Sequence, residues 1–183
     1  MKKTIEFNNG VSIPQLGFGV FQISTHEDAK KATLQAIKAG YRLIDTAAAY
    51  MNERAVGEAI KESGVARQDL FITTKLWVQD MGYEATQRAI DHSLARLGLD
   101  YLDLYLIHQP LNDVYGSWHA MEDAYDAGKL KAIGVANFEN DRVQDLMMNN
   151  RINPMVNQIE LHPFHAQFDR VQWLQKQGIV AEA

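Results

Sequence analysis

Ionisable side chains stand directly after three short apolar segments of the chain. Asp45 follows the first of these segments, Lys75 the second and His108 the third. Amide side chains hold similar places further on, because Asn137 ends another apolar segment and Gln158 interrupts the next. Where such segments are parallel strands of a barrel, their carboxyl ends meet at one mouth. We therefore expect these five side chains to lie close together.

Tyr50 lies five residues after Asp45, in the segment that would cover this mouth. A free phenol titrates near pH ~10 and is a poor acid at neutral pH. An adjacent ammonium, here that of Lys75, stabilises the phenolate and lowers this pKa, and a carboxylate such as Asp45 holds the ammonium in place. His108 is then placed to donate to a carbonyl oxygen. The set predicts delivery of a proton to an oxygen that gains electrons.

No side chain in this set supplies a hydride, so the chemistry requires an external donor such as a nicotinamide. Asn137 and Gln158 suit the recognition of an amide, because each carries both hydrogen-bond donors and an acceptor. The residues alone leave a second interpretation open, in which Asp45 and Lys75 form a buried ion pair with a purely structural role.

The elements that must position these residues alternate between short apolar segments and segments with helical spacing, as in parallel strands joined by right-handed crossovers. Asn9 and Gly10 lie between two extended segments and predict an opening β-hairpin. Seven further strands, buried on both faces, are predicted over residues 16–21, 42–45, 70–75, 102–108, 131–137, 155–161 and 179–181. Six helices are predicted from Thr25 to Gly40, from Asn52 to Gly64, from Tyr83 to Leu97 with Gly98 as the stop, around 118–125, around 143–147 and over 171–176.

Two architectures fit this alternation, an open doubly wound sheet and a closed barrel. The open sheet normally carries a glycine-rich phosphate loop, but Gly17 and Gly19 form only half of that motif, because Gln22 occupies the third glycine position. We therefore expect the α/β class and a TIM (β/α)8-type barrel, with the hairpin at its N-terminal mouth. Such a barrel takes around 250 residues, so residues 1–183, with only seven strands and six helices of the barrel, are expected to be a single domain and the N-terminal two-thirds of a longer protein.

Composition restricts the class of protein further. Of the 183 residues, 46% are hydrophobic and 22% are charged, which is enough apolar content for a core, and no run of apolar residues is long enough for a transmembrane helix. The chain has no cysteine, which excludes disulfides and thiolate zinc sites and fits a cytoplasmic protein. A net charge of −5 without a basic block argues against nucleic-acid binding. No metal is expected, because Pro163 interrupts the helix that paired ligation by His162 and His165 needs.

Five blocks of sequence surround the strand-end residues. They are LIDTAAAYMNE at 43–53, ITTKLW at 72–77, LYLIH at 104–108, GVANF at 134–138 and NQIELHP at 157–163. In this order and at this spacing they closely resemble the signature blocks of the aldo-keto reductases, most of all the bacterial 2,5-diketogluconate-reductase type. The resemblance implies a (β/α)8 barrel that binds NADPH, or NADH, across its C-terminal mouth. It further implies the reduction of small-molecule aldehydes or ketones to alcohols by a monomeric enzyme.

The same resemblance implies a role for each catalytic position. Tyr50 matches the proton donor, Lys75 the residue that lowers the pKa of this tyrosine, and Asp45 the carboxylate that pairs with Lys75 and borders the cofactor. His108 matches the residue that orients the substrate carbonyl.

The resemblance also implies binding residues. Asn137 and Gln158 match positions that hold the nicotinamide carboxamide, and Phe21 and Trp77 match an aromatic wall that borders the substrate beside His108. In the GVANF block, the family usually has serine where this chain has alanine at position 136. One hydrogen bond to the carboxamide is then absent, at a cost of about 1 kcal/mol.

Two other functions stay open from the sequence. One is a non-catalytic or truncated member of the family that binds the cofactor or a partner without turnover. The other is an unrelated barrel enzyme, such as a sugar isomerase or a hydrolase, which would not depend on a nicotinamide. Glu160 is the candidate base of a hydrolase, but a glycosidase needs a second carboxylate opposite it and none is evident.

Overall fold

The computed structural model describes residues 3–183, which form a short hairpin and a curled parallel sheet covered by helices. The hairpin strands are β1 (Thr4–Glu6) and β2 (Ser12–Pro14). Within the described residues the sheet has seven strands in chain order: β3 (Gly17–Gly19), β4 (Leu43–Asp45), β5 (Phe71–Leu76), β6 (Leu104–Ile107), β7 (Ile133–Ala136), β8 (Val156–Gln158) and β9 (Val180–Glu182). Each neighbouring pair is parallel.

Helices connect successive strands of the sheet. Over residues 3–183 there are six: α1 (His26–Lys38), α2 (Glu53–Ser63), α3 (Tyr83–Leu97), α4 (Val114–Asp126), α5 (Asn140–Asn149) and α6 (Phe168–Lys176). Their apolar faces bury residues such as Ile90, Leu94 and Trp118 against the sheet. No helix in this part of the chain is both long enough and apolar enough to cross a bilayer. The prediction of a barrel-type α/β fold with seven strands and six helices is confirmed.

The sheet curves strongly, so that strands far apart in its order approach one another. Asp45 at the end of β4 accepts a hydrogen bond from Gln158 at the end of β8, with Nε2 and Oδ2 3.1 Å apart. Three strands separate these two in the hydrogen-bonded order. A contact of this kind requires a partly closed barrel whose interior side chains meet across the axis.

The hairpin lies against the N-terminal ends of the sheet strands. Asn8 Nδ2 donates to the carbonyl oxygen of Pro154, just before β8, at 3.2 Å. Asn9 Nδ2 donates to the carbonyl oxygen of Lys131, just before β7, at 3.0 Å. The hairpin therefore covers the mouth opposite to the one at which the strand-end side chains gather, as predicted.

The two outer strands of the sheet differ from the prediction of burial on both faces. Gly17 and Gly19 of β3 are exposed, and every residue of β9 is only partly buried. In the described residues, β3 and β9 each have a strand neighbour on one side. The prediction was wrong for these two strands because burial depends on the neighbours of a strand, which its apolar composition does not reveal.

The helix ends show how local signals fix the loops that carry the site. Thr25 precedes α1, and its Oγ1 accepts from the Asp28 N–H at 3.1 Å, as the spacing predicts. Asn52 precedes α2 as predicted, but its side chain makes no capping bond. Instead its Nδ2 donates to the Val20 carbonyl oxygen at 3.0 Å and its Oδ1 accepts from Thr46 Oγ1 at 2.7 Å. Asn52 thus ties together the loops after β3 and β4.

Candidate active site

Lys75 and Asp45 form a buried ion pair near the carboxyl ends of β5 and β4. Asp45 is paired with Thr73 across these strands, so Lys75, two residues further along β5, points to the same side of the sheet. The Lys75 side chain is fully buried, and its Nζ donates to Asp45 Oδ1 at 2.5 Å and to the Thr46 carbonyl oxygen at 3.1 Å. Because a buried ammonium needs such partners in place of water, both groups are held in fixed positions.

Tyr50 ends a short 3-10 turn that follows β4, and its ring is half-buried above the ion pair. The ring centroid lies 5.2 Å from Nζ of Lys75. Burial raises the pKa of the Tyr50 phenol above its ordinary value, and the Lys75 charge, which lowers this pKa, offsets only part of the increase. Asp45 adds a smaller increase of its own. The arrangement therefore sets a protonated phenol beside an ammonium.

His108 follows β6, and its backbone N–H donates to the Leu76 carbonyl oxygen at 3.1 Å. Its ring packs edge-on against Tyr50, with centroids 5.6 Å apart, and against Trp77, with centroids 5.1 Å apart. Burial, followed by the Lys75 charge, lowers the pKa of His108 to about 4. The imidazole is therefore neutral at neutral pH and carries one N–H to donate. Its Nδ1 is buried and has no hydrogen-bond partner among residues 3–183.

Phe21 and Trp77 flank the Tyr50 ring and the His108 ring. Phe21 lies in the loop after β3, is 64% exposed, and packs on Tyr50 with ring centroids 4.9 Å apart. The four rings thus form a continuous aromatic surface beside the phenol. An apolar surface next to a phenol hydroxyl suits a small organic molecule with one polar group.

Asn137 and Gln158 are also brought to this mouth, and each is oriented by a neighbour within the protein. Asn137 follows β7 with a left-handed backbone, φ 65°, and its Nδ2 donates to the His108 carbonyl oxygen at 3.0 Å. The Asn137 N–H donates to the Gln158 carbonyl oxygen at 2.8 Å. The Gln158 side chain in turn donates to Asp45. The amide groups are therefore part of the same hydrogen-bonded assembly as the ion pair.

Glu182, at the end of β9, is a further member of this assembly that the sequence analysis does not single out. It is paired with Gln158 across β8 and β9, and its Oε2 is buried without a hydrogen-bond partner in the described residues. Burial, and secondarily the charge of Asp45, raise the pKa of Glu182 to about 7, with Lys75 and the Gln158 amide acting in the opposite direction. Its signal was present, because Glu182 directly follows the apolar segment 179–181, as Asp45 follows its own segment.

A cavity of about 820 Å³ lies along the open side of the sheet between β3 and β9. Its lining extends from Ile5 and Ile13 of the hairpin to the polar side chains at the mouth, which are Asp45, Tyr50, His108, Asn137, Gln158 and Glu182. Its apolar lining includes Phe21 and residues of β3 and β9.

The histidines after β8 lie outside this arrangement of side chains. The rings of His162 and His165 are 6.0 Å apart, and His162 Nε2 is 3.0 Å from Glu160 Oε1. Residues 3–183 contain no group of three or more acidic or histidine side chains placed to hold a metal ion. At the mouth of the barrel, the Tyr50 and His108 side chains lie close to the buried ammonium of Lys75, and all three groups can donate hydrogen bonds.

Comparison with known proteins gives consistent matches along the chain. A model of the Aldo/keto reductase family matches residues 15–181. Glyoxal reductase of Bacillus subtilis (strain 168) is 50% identical over 184 residues, covering 100% of this chain and 67% of that protein. Morphine 6-dehydrogenase of Pseudomonas putida is 50% identical over 182 residues, covering 98% of this chain and 61% of that protein. The chain spans about two thirds of the length of the curated relatives it matches.

Solved structures share the fold closely. An aldo/keto reductase from Brucella melitensis superposes with a TM-score of 0.97 at 46% identity, covering 100% of this chain and 72% of that chain. A Bombyx mori aldo-keto reductase in complex with NADP superposes with a TM-score of 0.95 at 38% identity, covering 99% of this chain and 65% of that chain. Since sequence and fold agree over nearly the whole length, the chain belongs to the aldo/keto reductase family.

Proposed function

We propose that the protein to which this chain belongs reduces aldehydes or ketones to alcohols with NADPH, and that Tyr50 donates the proton. One observation carries the proposal. A half-buried phenol lies beside a fully buried ammonium that Asp45 holds in place, and a neutral imidazole borders the same cavity. Family membership makes the alternative of an unrelated isomerase or hydrolase barrel wrong.

Each side chain has a defined part in this chemistry. His108, neutral because its pKa is lowered to about 4, donates its N–H to the carbonyl oxygen and aligns it. Tyr50, whose pKa burial raises, keeps its proton until that oxygen gains negative charge and then transfers it. Lys75 stabilises the phenolate that remains, because its ammonium is held at short range by Asp45.

The residues at the mouth fit a nicotinamide cofactor. Asn137 and Gln158 offer amide groups of fixed orientation at the edge of the cavity, which is the chemistry needed to bind a carboxamide. When bound, a reduced nicotinamide supplies the hydride. The NADP complex of the Bombyx mori relative supports this choice of cofactor. Ala136 offers no hydroxyl, so the carboxamide is held by amide groups alone.

The test is Tyr50→Phe, which removes the acidic hydrogen and keeps the ring. We expect turnover of a simple aldehyde to fall by at least about 100-fold, the usual contribution of general acid catalysis. NADPH binding, followed by quenching of tryptophan fluorescence, should change less than about twofold, because Tyr50 is not among the amide groups that hold the cofactor.

Tyr41→Phe is the matched control, because Tyr41 lies at the surface in edge contact with Phe18 and away from Lys75. It should leave both measurements unchanged. Turnover by Tyr50→Phe at the wild-type rate would overturn the role of Tyr50. NADPH binding by the wild-type protein without turnover of any aldehyde would favour the non-catalytic, cofactor-binding function.

A further inference from the structure

The carbonyl oxygen of Phe138, one residue beyond Asn137, accepts hydrogen bonds from two distant side chains. Asn157 Nδ2 on β8 donates to it at 2.8 Å, and Arg170 Nη2 on α6 donates to it at 2.5 Å. Phe138 and Asn157 are fully buried. A peptide group held from two sides in this way cannot rotate without breaking both bonds.

Arg170 makes this contact as part of a wider set of bonds. Its side chain is only 13% exposed, although it carries a full charge. Nη1 donates to Gln167 Oε1 at 2.9 Å and lies 3.2 Å from Glu139 Oε1. Gln167 Nε2 donates in turn to the Glu160 carbonyl oxygen. The guanidinium thus joins the loop after β7 to the loop after β8, both of which border the mouth of the barrel.

The backbone just before the Phe138 peptide group has a left-handed conformation. Asn137 has φ 65°, a conformation that asparagine adopts more readily than other non-glycine residues but that is still uncommon. From this position its N–H reaches the Gln158 carbonyl oxygen and its side chain reaches the His108 carbonyl oxygen. The carbonyl oxygen of Phe138 belongs to the peptide group between Phe138 and Glu139, one residue beyond Asn137, so holding this group restricts the backbone that carries the Asn137 amide.

We propose that Arg170 is a positioning residue for Asn137, which holds the Asn137 amide in the orientation that binds the carboxamide of the cofactor. The part of this proposal that concerns the cofactor rests on the proposed function. Arginine suits the task because its planar fork donates in two directions at once, toward Phe138 and toward Gln167. A lysine at position 170 carries all its N–H groups on one nitrogen and lacks the planar fork that spans the two acceptors.

The first experiment does not involve the cofactor. Amide hydrogen exchange is measured in Arg170→Ala, Arg170→Lys and the control Arg142→Ala, whose exposed guanidinium lies near Asp145 on the surface of α5. We expect the Asn137 amide to exchange at least about tenfold faster in Arg170→Ala and by an intermediate factor in Arg170→Lys. Amides of β5 should be unaffected in all three variants. Wild-type exchange at Asn137 in both Arg170 variants would overturn the proposal.

The second experiment tests whether Arg170 affects only the binding of the cofactor's carboxamide group. Affinity is measured for NADPH and for the analogue with an acetyl group in place of the carboxamide. We expect Arg170→Ala to weaken NADPH binding about five- to tenfold and analogue binding less than about twofold, since the analogue lacks the amide that Asn137 would bind. Arg170→Lys should fall between, and Arg142→Ala should match the wild type.

Equal weakening for both ligands would overturn the proposal, because it would mean that Arg170 supports the fold of the mouth in general. Absence of NADPH binding by the wild-type protein would instead contradict the proposed function, and the exchange measurement would still decide whether Arg170 positions Asn137. If Arg170→Ala does not fold, Arg170→Lys, which keeps the charge and the aliphatic stem, carries both measurements.

Discussion

The side chains at the mouth depend on one another for their charge states as well as for their positions. Lys75 is fully buried, and Asp45 is the anion that accompanies it. Removing one member of such a pair leaves an unpaired buried charge, which costs about 3–5 kcal/mol. Substitutions of Asp45 or Lys75 therefore change stability together with chemistry, whereas a change that only removes a hydroxyl, as at Tyr50, separates the two.

The protonation of His108 is open to direct measurement. Burial and the Lys75 charge lower the pKa of His108 to about 4, against 6.5 for an ordinary histidine. Between pH 4 and pH 6.5, His108 binds a proton in the unfolded chain but not in the folded protein. The contribution of neutral His108 to stability is therefore full above pH 6.5 and is lost as the pH falls toward 4. We expect the His108 ring signals in NMR to stay those of a neutral imidazole at pH 5.5. The same ring in urea is the reference, and titration of His108 near pH 6.5 in the folded protein would contradict the expectation.

At the level of single residues, the sequence predicts which side chains gather but not how they are held. The gathering of Asp45, Lys75 and His108 can be predicted, because side chains at the carboxyl ends of parallel strands meet at one mouth of a barrel. The strands themselves are recognisable from local apolar segments. The bonds that surround Asn137 do not follow, because they are tertiary: the neighbouring Phe138 oxygen accepts from Arg170, which lies 32 residues away in the chain. Glu182 obeys the same rule of strand ends, because it directly follows the apolar segment 179–181.

Among the elements, helix signals were more informative than strand signals. The third helix was predicted over residues 83–97, and α3 is Tyr83–Leu97, because amphipathic spacing and the terminal Gly98 are both local features. The exposure of β3 could not be read from its residues, since it depends on which strands lie beside it. Asn52 shows a similar limit of prediction. Its position just before α2 can be predicted from neighbouring residues, whereas its hydrogen bonds to Val20 and Thr46 depend on the tertiary fold.

The packing of α2 on α3 gives a prediction at the level of elements. A Cβ built on Gly57, in the middle of α2, would lie 2.2 Å from the Leu97 carbonyl oxygen, a backbone atom that cannot move aside alone. Alanine normally stabilises a helix interior by roughly 1 kcal/mol relative to glycine, but here the two helices would have to separate. We expect Gly57→Ala to destabilise the protein by about 2 kcal/mol or more in urea unfolding. Lys61→Ala, on the exposed side of the same helix, should stay within about 0.5 kcal/mol of the wild type.

For the whole molecule, the curvature of the sheet decides which groups share an environment. Asp45 and Glu182 lie 137 positions apart in the chain, on β4 and β9. The curved sheet nevertheless brings both carboxyl groups against the same cavity and the same Gln158 amide. In a flat sheet with the same strand order, β5 to β8 would separate the two carboxyl groups, and neither charge would affect the pKa of the other.

The burial of Glu182 near Asp45 predicts how the free energy of unfolding changes with pH. The pKa of Glu182 is raised to about 7, mainly by burial, from an ordinary value of 4.5. Between these values the folded protein binds a proton that the unfolded chain does not, so the contribution of neutral Glu182 is full below pH 4.5 and is lost as the pH rises through 7. We expect Glu182→Gln to raise the free energy of unfolding at pH 8 relative to wild type, by up to about 3 kcal/mol, and to change it little at pH 4.5.

Urea unfolding at the two pH values provides the measurement. Glu84→Gln, at a position 84% exposed on α3, is the control and should have the same small effect at both. An effect of Glu182→Gln that does not differ between pH 4.5 and pH 8 would contradict the expected protonation of Glu182.

The hairpin has a consequence for the order in which the chain acquires its structure during synthesis. Asn8 and Asn9 emerge from the ribosome early, yet the carbonyl groups they bind belong to Pro154 and Lys131, which are made more than a hundred residues later. Until those residues have left the exit tunnel, the hairpin lacks both of these hydrogen bonds. The hairpin of a nascent chain therefore gains its full set of contacts only after Pro154 has been made, when β3 to β7 already exist.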